Sequence, residues 1–520
     1  MTPSTPTGCP YHTGADMKSA VSPAPDHAPA GRTLTDLPGP KGLPIVGNLL
    51  QLDLKHLHQV LEQWAHEHGS LYQFRIAHKP VVAVTDADLI NEVLRKRPEA
   101  YRRLNAIEPV LKEMGIDGVF SAEGDHWYRQ RRIAMQALNN AHLRQFFETL
   151  VKVTGRLKAR WDRAVAKGGI VEAQKDLTRF TIDVTANLAF GYDVNTLETE
   201  GDDLQRHLER IFPMINRRIN APFPYWHFVK MPADRALEES LAFVHQAIRG
   251  FIAHSRARLA NDPELVSHPT NFLEAMLAMR DVEGSEFTDE EISGNVLTML
   301  LGGEDSTAAT MAWMFHFLTE HPDIQARAQS EVDKVLGDAE MMTDYRDHER
   351  LPYVEAVAFE TMRLKSVFPV LFLGTNQDVE LGGVRIPAGT AIFLLTRQCG
   401  LQEEAFASPH QFLPERWLVS RPGTQEGHNT KAFVPFGAGP RFCPGRNLAL
   451  LEIKAIMAML CRNFSISKPM NARPVEEQFG FLMAPTNLSV DMHKRENPFT
   501  SAGDDWLQAG TRRPVEANAS

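Results

Sequence analysis

Apolar and polar positions divide the chain into a long, periodic middle and two polar ends. Residues 1–36 are rich in Pro, Thr, Ser and Gly and carry no apolar periodicity. Such a segment buries too little apolar surface to offset the entropy of ordering, so a disordered tail is expected. Alternating proline and glycine from Leu37 to Pro44 then make a stiff, turning lead-in that excludes helix. Short β-like stretches follow at Leu71 to Phe74 and Val81 to Val84, and helical patterns dominate from there to about Cys461. A strand-rich patch from Val379 to Leu395 interrupts them, its turns marked by Leu381-Gly382-Gly383 and Pro387-Ala388-Gly389. Residues 496–520 are polar again and read as a loose tail. With no internal repeat and no second linker, the pattern predicts one domain over residues 37–495, mainly α with a smaller β-rich part (α+β).

The longest periodic segment carries its own start and stop. Thr288-Asp289-Glu290-Glu291 reads as a capping box, and His321-Pro322 ends the helix after Glu320. At about 1.5 Å per residue this helix is roughly 45–50 Å long, enough to cross a whole domain. Its middle reads Gly302-Gly303-Glu304-Asp305-Ser306-Thr307. Each glycine costs a helix interior about 1 kcal/mol relative to Ala, and acidic and hydroxyl side chains are poor formers there. Either a solvated kink or a functional use would account for a stretch this costly.

Composition narrows the class. The 520 residues are 43% hydrophobic and 23% charged, as in a globular protein, and the net charge of −10 excludes nucleic acid as a main partner. Four cysteines (Cys9, Cys399, Cys443, Cys461) are too few for a disulfide framework and lack zinc-site spacing, so a reduced, cytoplasmic setting is expected. The N-terminal segment has no apolar run long enough to span a bilayer, and two acidic residues, Asp16 and Asp26, count against a transit peptide.

One segment concentrates unusual chemistry: Phe436-Gly437-Ala438-Gly439-Pro440-Arg441-Phe442-Cys443-Pro444-Gly445. A helix beginning at Pro444 would place Cys443 at its positive end, where free N–H groups favour an anionic sulfur. Gly437, Gly439 and Gly445 would allow close backbone approach to a flat ligand, and Arg441 brings a permanent cation suited to a carboxylate. Taken by itself, the segment also suits a buried structural cysteine.

The segment resembles the haem-binding loop of the cytochrome P-450 family, F-x-x-G-x-R-x-C-x-G, with Phe436, Gly439, Arg441, Cys443 and Gly445 at its fixed positions. The resemblance implies haem b with Cys443 as the axial iron ligand and Arg441 on a haem propionate. It further implies that the Gly302–Thr307 stretch passes over the opposite haem face. Gly302 and Gly303 would make room for oxygen and substrate, and Asp305 would be the proton-relaying acid. Ser306 stands where the family has threonine, and Thr307 is the neighbouring alternative. Glu360 and Arg363, three apart on a helix beginning near Val354, would join Arg416 of Pro414-Glu415-Arg416-Trp417 in a buried charge cluster. Trp127 and Arg131, four apart, would hold a propionate. Another family arginine, five residues before the acid matching Asp378, falls here on Leu373, which leaves one propionate contact either missing or supplied elsewhere.

What the resemblance implies for function is a haem-thiolate monooxygenase, soluble and bacterial in type, acting on O2 and an apolar small molecule. Electrons would come from NAD(P)H through separate redox proteins, a ferredoxin or a flavodoxin or flavoprotein reductase, docking on the Cys443 side. Ile107, Val119, Phe120, Leu301, Val370, Leu371, Phe372, Phe481 and Leu482 are the candidate pocket walls. Arg217-Arg218 reads as an exposed pair, with attraction of a substrate carboxylate as the alternative. A monomer is expected. The other readings are a peroxide-driven or isomerising enzyme of the same fold and a non-catalytic haem-binding or gas-sensing protein.

Overall fold

The computed structural model describes residues 32–496 apart from 106, 200–202, 222, 281–287 and 419–427. Most of both expected tails lies outside the described residues. Long helices dominate: Asn140–Ala166, Ala173–Phe190, Pro232–Asn261, Asp289–Glu320, Pro322–Leu336, Pro352–Leu364 and Arg446–Asn463. The expected central helix has the bounds its sequence signals set. Thr288 Oγ1 accepts from the Glu291 amide at 3.2 Å, and Glu291 Oε2 accepts from the Thr288 amide at 2.9 Å. Two sequence-distant aromatics close around its second half, Trp161 against Phe315 and Phe464, in a core shared with the Arg446–Asn463 helix.

The β-rich part is a five-stranded sheet in the order Leu71–Ile76, Lys79–Val84, Ala391–Leu394, Leu371–Thr375, Tyr101–Arg103. Only the Lys79–Val84 and Ala391–Leu394 pair is parallel. The sequence pattern anticipated three of these strands. It missed Leu371–Thr375 and Tyr101–Arg103, because a short apolar run beside a helix has no decisive period and a three-residue strand has almost none. Among the described residues, no helix is long and apolar enough to cross a membrane.

The Arg446–Asn463 helix buries Glu452, whose Oε2 finds no hydrogen-bond partner. Burial pushes its carboxyl from 4.5 up to about 8. The folded chain therefore keeps a proton that the unfolded chain releases. Stability is highest below the unfolded value of 4.5 and falls as pH rises to about 8. The slope in that window approaches about 1.4 kcal/mol per pH unit. Glu452→Gln should flatten it, read as urea midpoints that differ less than the parent's between about pH 5 and about pH 8.

Candidate functional site

The Cys443 loop is built by two left-handed glycines. Gly437 has φ +71° and Gly439 has φ +67°, and a Cβ on Gly439 would lie 2.5 Å from the Leu94 carbonyl oxygen. Gly439 is thus required both for its own turn and for seating the loop on the helix Ala87–Arg95. Gly445 has an ordinary φ of −85° and caps the following helix. That helix begins at Arg446 rather than at Pro444, which corrects the expected start. The amides of Gly445 and Arg446 nonetheless reach back to the Cys443 sulfur. Phe436 supplies the carbonyl that holds the Cys443 amide, at 2.9 Å.

Burial pushes the Cys443 thiol above its ordinary value, against the opposing pull of those two amides and of Arg131. The loop by itself therefore does not hold a thiolate, as the sequence suggested it would. A metal ion bound there would deprotonate the thiol outright.

The costly middle of the central helix divides between two faces. A Cβ on Gly302 would meet no atom within 4 Å, whereas one on Gly303 would lie 2.9 Å from Thr185 Oγ1 of the Ala173–Phe190 helix. Gly302 faces open space; Gly303 serves close helix packing. Ser306 Oγ donates to the Gly302 carbonyl at 3.1 Å, one turn back on the Gly302 side. Asp305 makes no hydrogen bond or ion pair among the described residues, and desolvation raises its pKa. Thr307 is buried in the core, away from that side. The geometry so favours Ser306 over Thr307 as the accessible hydroxyl.

Glu360, Arg363 and Arg416 meet as the resemblance implied. Glu360 accepts from Arg363 at 2.6 and 2.9 Å, from Arg416 Nε at 3.1 Å and from the Leu413 amide at 3.0 Å. Trp417 Nε1 adds a bond at 2.9 Å that sequence reasoning did not assign. The Glu360 and Arg363 side chains are both 0% exposed, and Arg363 also donates to the carbonyls of Gly400, Pro409 and Gln411.

Beside the Cys443 loop lies a pocket of guanidinium groups. Arg441 stacks over Trp127 at 4.4 Å and donates to Ala122 O at 2.7 Å and Glu123 Oε2 at 2.5 Å. Its Nε and one terminal nitrogen are buried without hydrogen-bond partners among the described residues, as are Nε and a terminal nitrogen of Arg97, the latter 3.8 Å from Glu123. Arg103, on the strand Tyr101–Arg103, lies over Phe120 at 3.7 Å and donates from Nε to the Phe120 carbonyl at 3.1 Å. Burial lowers all of these guanidiniums, with Arg441 brought to about 10 and Arg103 to about 9. Arg131 is also lowered by burial, and Cys443 opposes that shift. The helix that carries Trp127 and Arg131 runs from Gly124 to Ala137.

Residues 37–492 match the family model described as Cytochrome P450. The chain belongs to the cytochrome P-450 family. It is 27% identical to the protein LUTEIN DEFICIENT 5, chloroplastic, of Arabidopsis thaliana over 87% of this chain and 76% of that one. It is 28% identical to a self-sufficient cytochrome P-450 monooxygenase of Aspergillus niger over 83% of this chain, but spans only 40% of that relative. The fold superposes on the crystal structure of the cytochrome P450DA heme domain with a TM-score of 0.78 at 24% identity, covering 89% of this chain and 98% of that one.

As a cytochrome P-450 monooxygenase the protein uses haem with a cysteine thiolate ligand. Unpaired, buried N–H groups at Arg441 and Arg97, an open Gly302 and a sulfur faced by two amides fit that cofactor. Of the expected pocket walls, Phe120 and Phe481 pack together at 6.0 Å, and Phe481 meets Phe368 at 6.4 Å. Ile107 and Leu301 belong to the same apolar cluster, against which Phe372 also packs. Strand alternation separates Phe372 from Leu371, which packs against a different cluster. Val370 packs in the cluster that holds Phe479. Val119 is tied by its amide to Asn295 at 2.9 Å, and Leu482 O accepts from Gly480 N at 2.9 Å.

Arg218 departs from its expected exposure. It is buried over Trp226 and paired with the fully buried Asp234 at 3.3 Å, while only Arg217 stays at the surface. The pairing joins residues sixteen apart on separate helices, which no local pattern signals.

Proposed function

We propose that this chain inserts one oxygen atom from O2 into an apolar small molecule, by C–H hydroxylation or epoxidation. The electrons come from NAD(P)H through separate redox proteins. Bound haem supplies the oxygen activation, with thiolate electron density favouring O–O cleavage. The chain's own part is to position substrate, exclude water and time protons. Cys443 ligates the iron. Arg441, Trp127 and Arg131 hold the haem carboxylates.

The observation that carries the reading is the pairing of Asp305 and Ser306 beside open Gly302. A carboxyl raised by burial exchanges protons nearer neutral pH than an ordinary aspartate does. The Ser306 hydroxyl, parked on the Gly302 carbonyl, can rotate to pass a proton or hold a water. Neither group is needed by an enzyme that receives its oxygen already reduced. The aromatic walls Phe120 and Phe481 support an apolar substrate.

Turnover with NAD(P)H, redox partners and an apolar trial substrate tests this directly. Asp305→Asn and Ser306→Ala should each lower product formed per NAD(P)H consumed, by about tenfold to a hundredfold, with electrons diverted to peroxide. Ser306→Thr, which keeps the hydroxyl, should retain coupling. Product formation as efficient with hydrogen peroxide alone would overturn the proposal.

A further inference from the structure

The guanidinium pocket holds more positive charge than its neighbours balance. Arg97 and Arg103, from the turn and strand that follow the Ala87–Arg95 helix, and Arg441, from the Cys443 loop, come together around one carboxylate. The carboxylate at their centre is Glu123. It accepts the Arg103 backbone amide at 2.9 Å and the Arg441 side chain at 2.5 Å, and it lies 3.8 Å from Arg97. Glu108 is the next acid nearby and is engaged by Arg102. Buried cations in this excess are costly unless a ligand brings further negative charge.

Strand register adds a second observation. Arg103 lies directly opposite Leu373 in the antiparallel pair of Tyr101–Arg103 with Leu371–Thr375. Residues opposed in this way project from the same face of a sheet, with Cβ atoms about 5 Å apart. Leu373 is the position at which the family pattern carries an arginine, and here it is a buried apolar residue. A cation, Arg103, stands across the ladder from it.

We propose that Arg103 supplies, from the neighbouring strand, the haem-carboxylate contact missing at Leu373, and that Glu123 is the positioning residue that gathers Arg103, Arg441 and Arg97 for it. Glu123 precedes the Trp127 helix as its N-cap but makes no capping bond with its side chain. One of its oxygens accepts instead from the Arg441 guanidinium, and the other from the Arg103 backbone amide, 3.8 Å from Arg97. Arg97, Arg103 and Arg441 outnumber the one carboxylate that touches them, and the carboxylates of haem would add negative charge there. The inference rests on the haem-thiolate reading and deepens it.

Haem release from the ferric protein to excess apomyoglobin tests the idea without any turnover. Arg103→Leu should release haem about tenfold faster, since a charge-assisted contact to a carboxylate is lost. Leu373→Arg in the Arg103→Leu background should restore slow release, and Arg103→Lys should fall between parent and Arg103→Leu. The haem reduction potential gives a readout that packing changes would not sort by sign. Losing the Arg103 cation should lower it and Glu123→Gln should raise it. Equal release from parent, Arg103→Leu and Arg103→Lys would overturn the role of Arg103, and so would a double variant that stays fast. Potentials moving in the same direction in Arg103→Leu and Glu123→Gln would overturn the role of Glu123. A parent chain that takes up no haem would instead overturn the reading of the whole site, so the failures are distinguishable.

Discussion

Cys443→Ser is expected to fold and to lose the reduced, carbon-monoxide-bound absorption band at about 450 nm that thiolate ligation produces. A band at about 420 nm, or no haem at all, should replace it, and monooxygenase turnover should fall to background. The expectation follows from the loop. The amides of Gly445 and Arg446 already reach the sulfur, and the Arg131 charge favours its anionic form, so a thiolate there meets partners that need no rearrangement. A serine oxygen fits the same space but is a harder, more basic ligand with a far higher pKa. The folded state should tolerate the change, because the Phe436 carbonyl binds the backbone of residue 443 and not its side chain. Far-ultraviolet circular dichroism unchanged from the parent would show this. A band retained at about 450 nm in Cys443→Ser would refute the assignment of the ligand.

The second large effect is on stability. Glu360→Gln should cost about 3–5 kcal/mol, because a buried pair broken on one side leaves an uncompensated charge. The Glu360 carboxylate accepts from Arg363, Arg416, Trp417 and the Leu413 amide, so its removal strands two guanidiniums in the core. Against a total stability of about 5–15 kcal/mol, that is about a fifth or more of the whole. Equilibrium urea unfolding should show the shift, and the purified variant should carry little haem. The exposed Lys96–Glu92 pair makes the contrast. Glu92→Gln should change stability by no more than about 0.5 kcal/mol, since water solvates both charges whether paired or not. A small loss at Glu360 would mean that the buried cluster is replaceable, contrary to its geometry.

These two sites also show what kind of information the chain carries openly. Cys443 with its glycines, and Glu360 with Arg363, are readable because their partners lie within one turn of helix or one loop. Fixed local spacing then sets geometry directly. The central helix is legible for the same reason: Thr288 and Glu291 cap each other across three residues, and Pro322 stops what they start. Where the local pattern was silent, sequence reading erred. Gly303 looked equivalent to Gly302 until Thr185, more than a hundred residues earlier, proved to be packed against it. Arg218 looked like a surface cation until Asp234 and Trp226 closed over it.

By itself the sequence determined the family, the mainly helical class, the cysteine and its loop, and the acid and hydroxyl in the central helix. Helix phase, caps and glycine turns are short-range consequences of residue type, and those features need nothing more. Tertiary structure decided which hydroxyl stays accessible, where the Cys443 helix begins, and which cation stands across from Leu373. That last decision depends on Arg103 meeting Leu373 across a ladder that joins residues 270 positions apart. Register between distant strands is fixed by the burial of whole faces, so no stretch of sequence around either residue could announce the pairing.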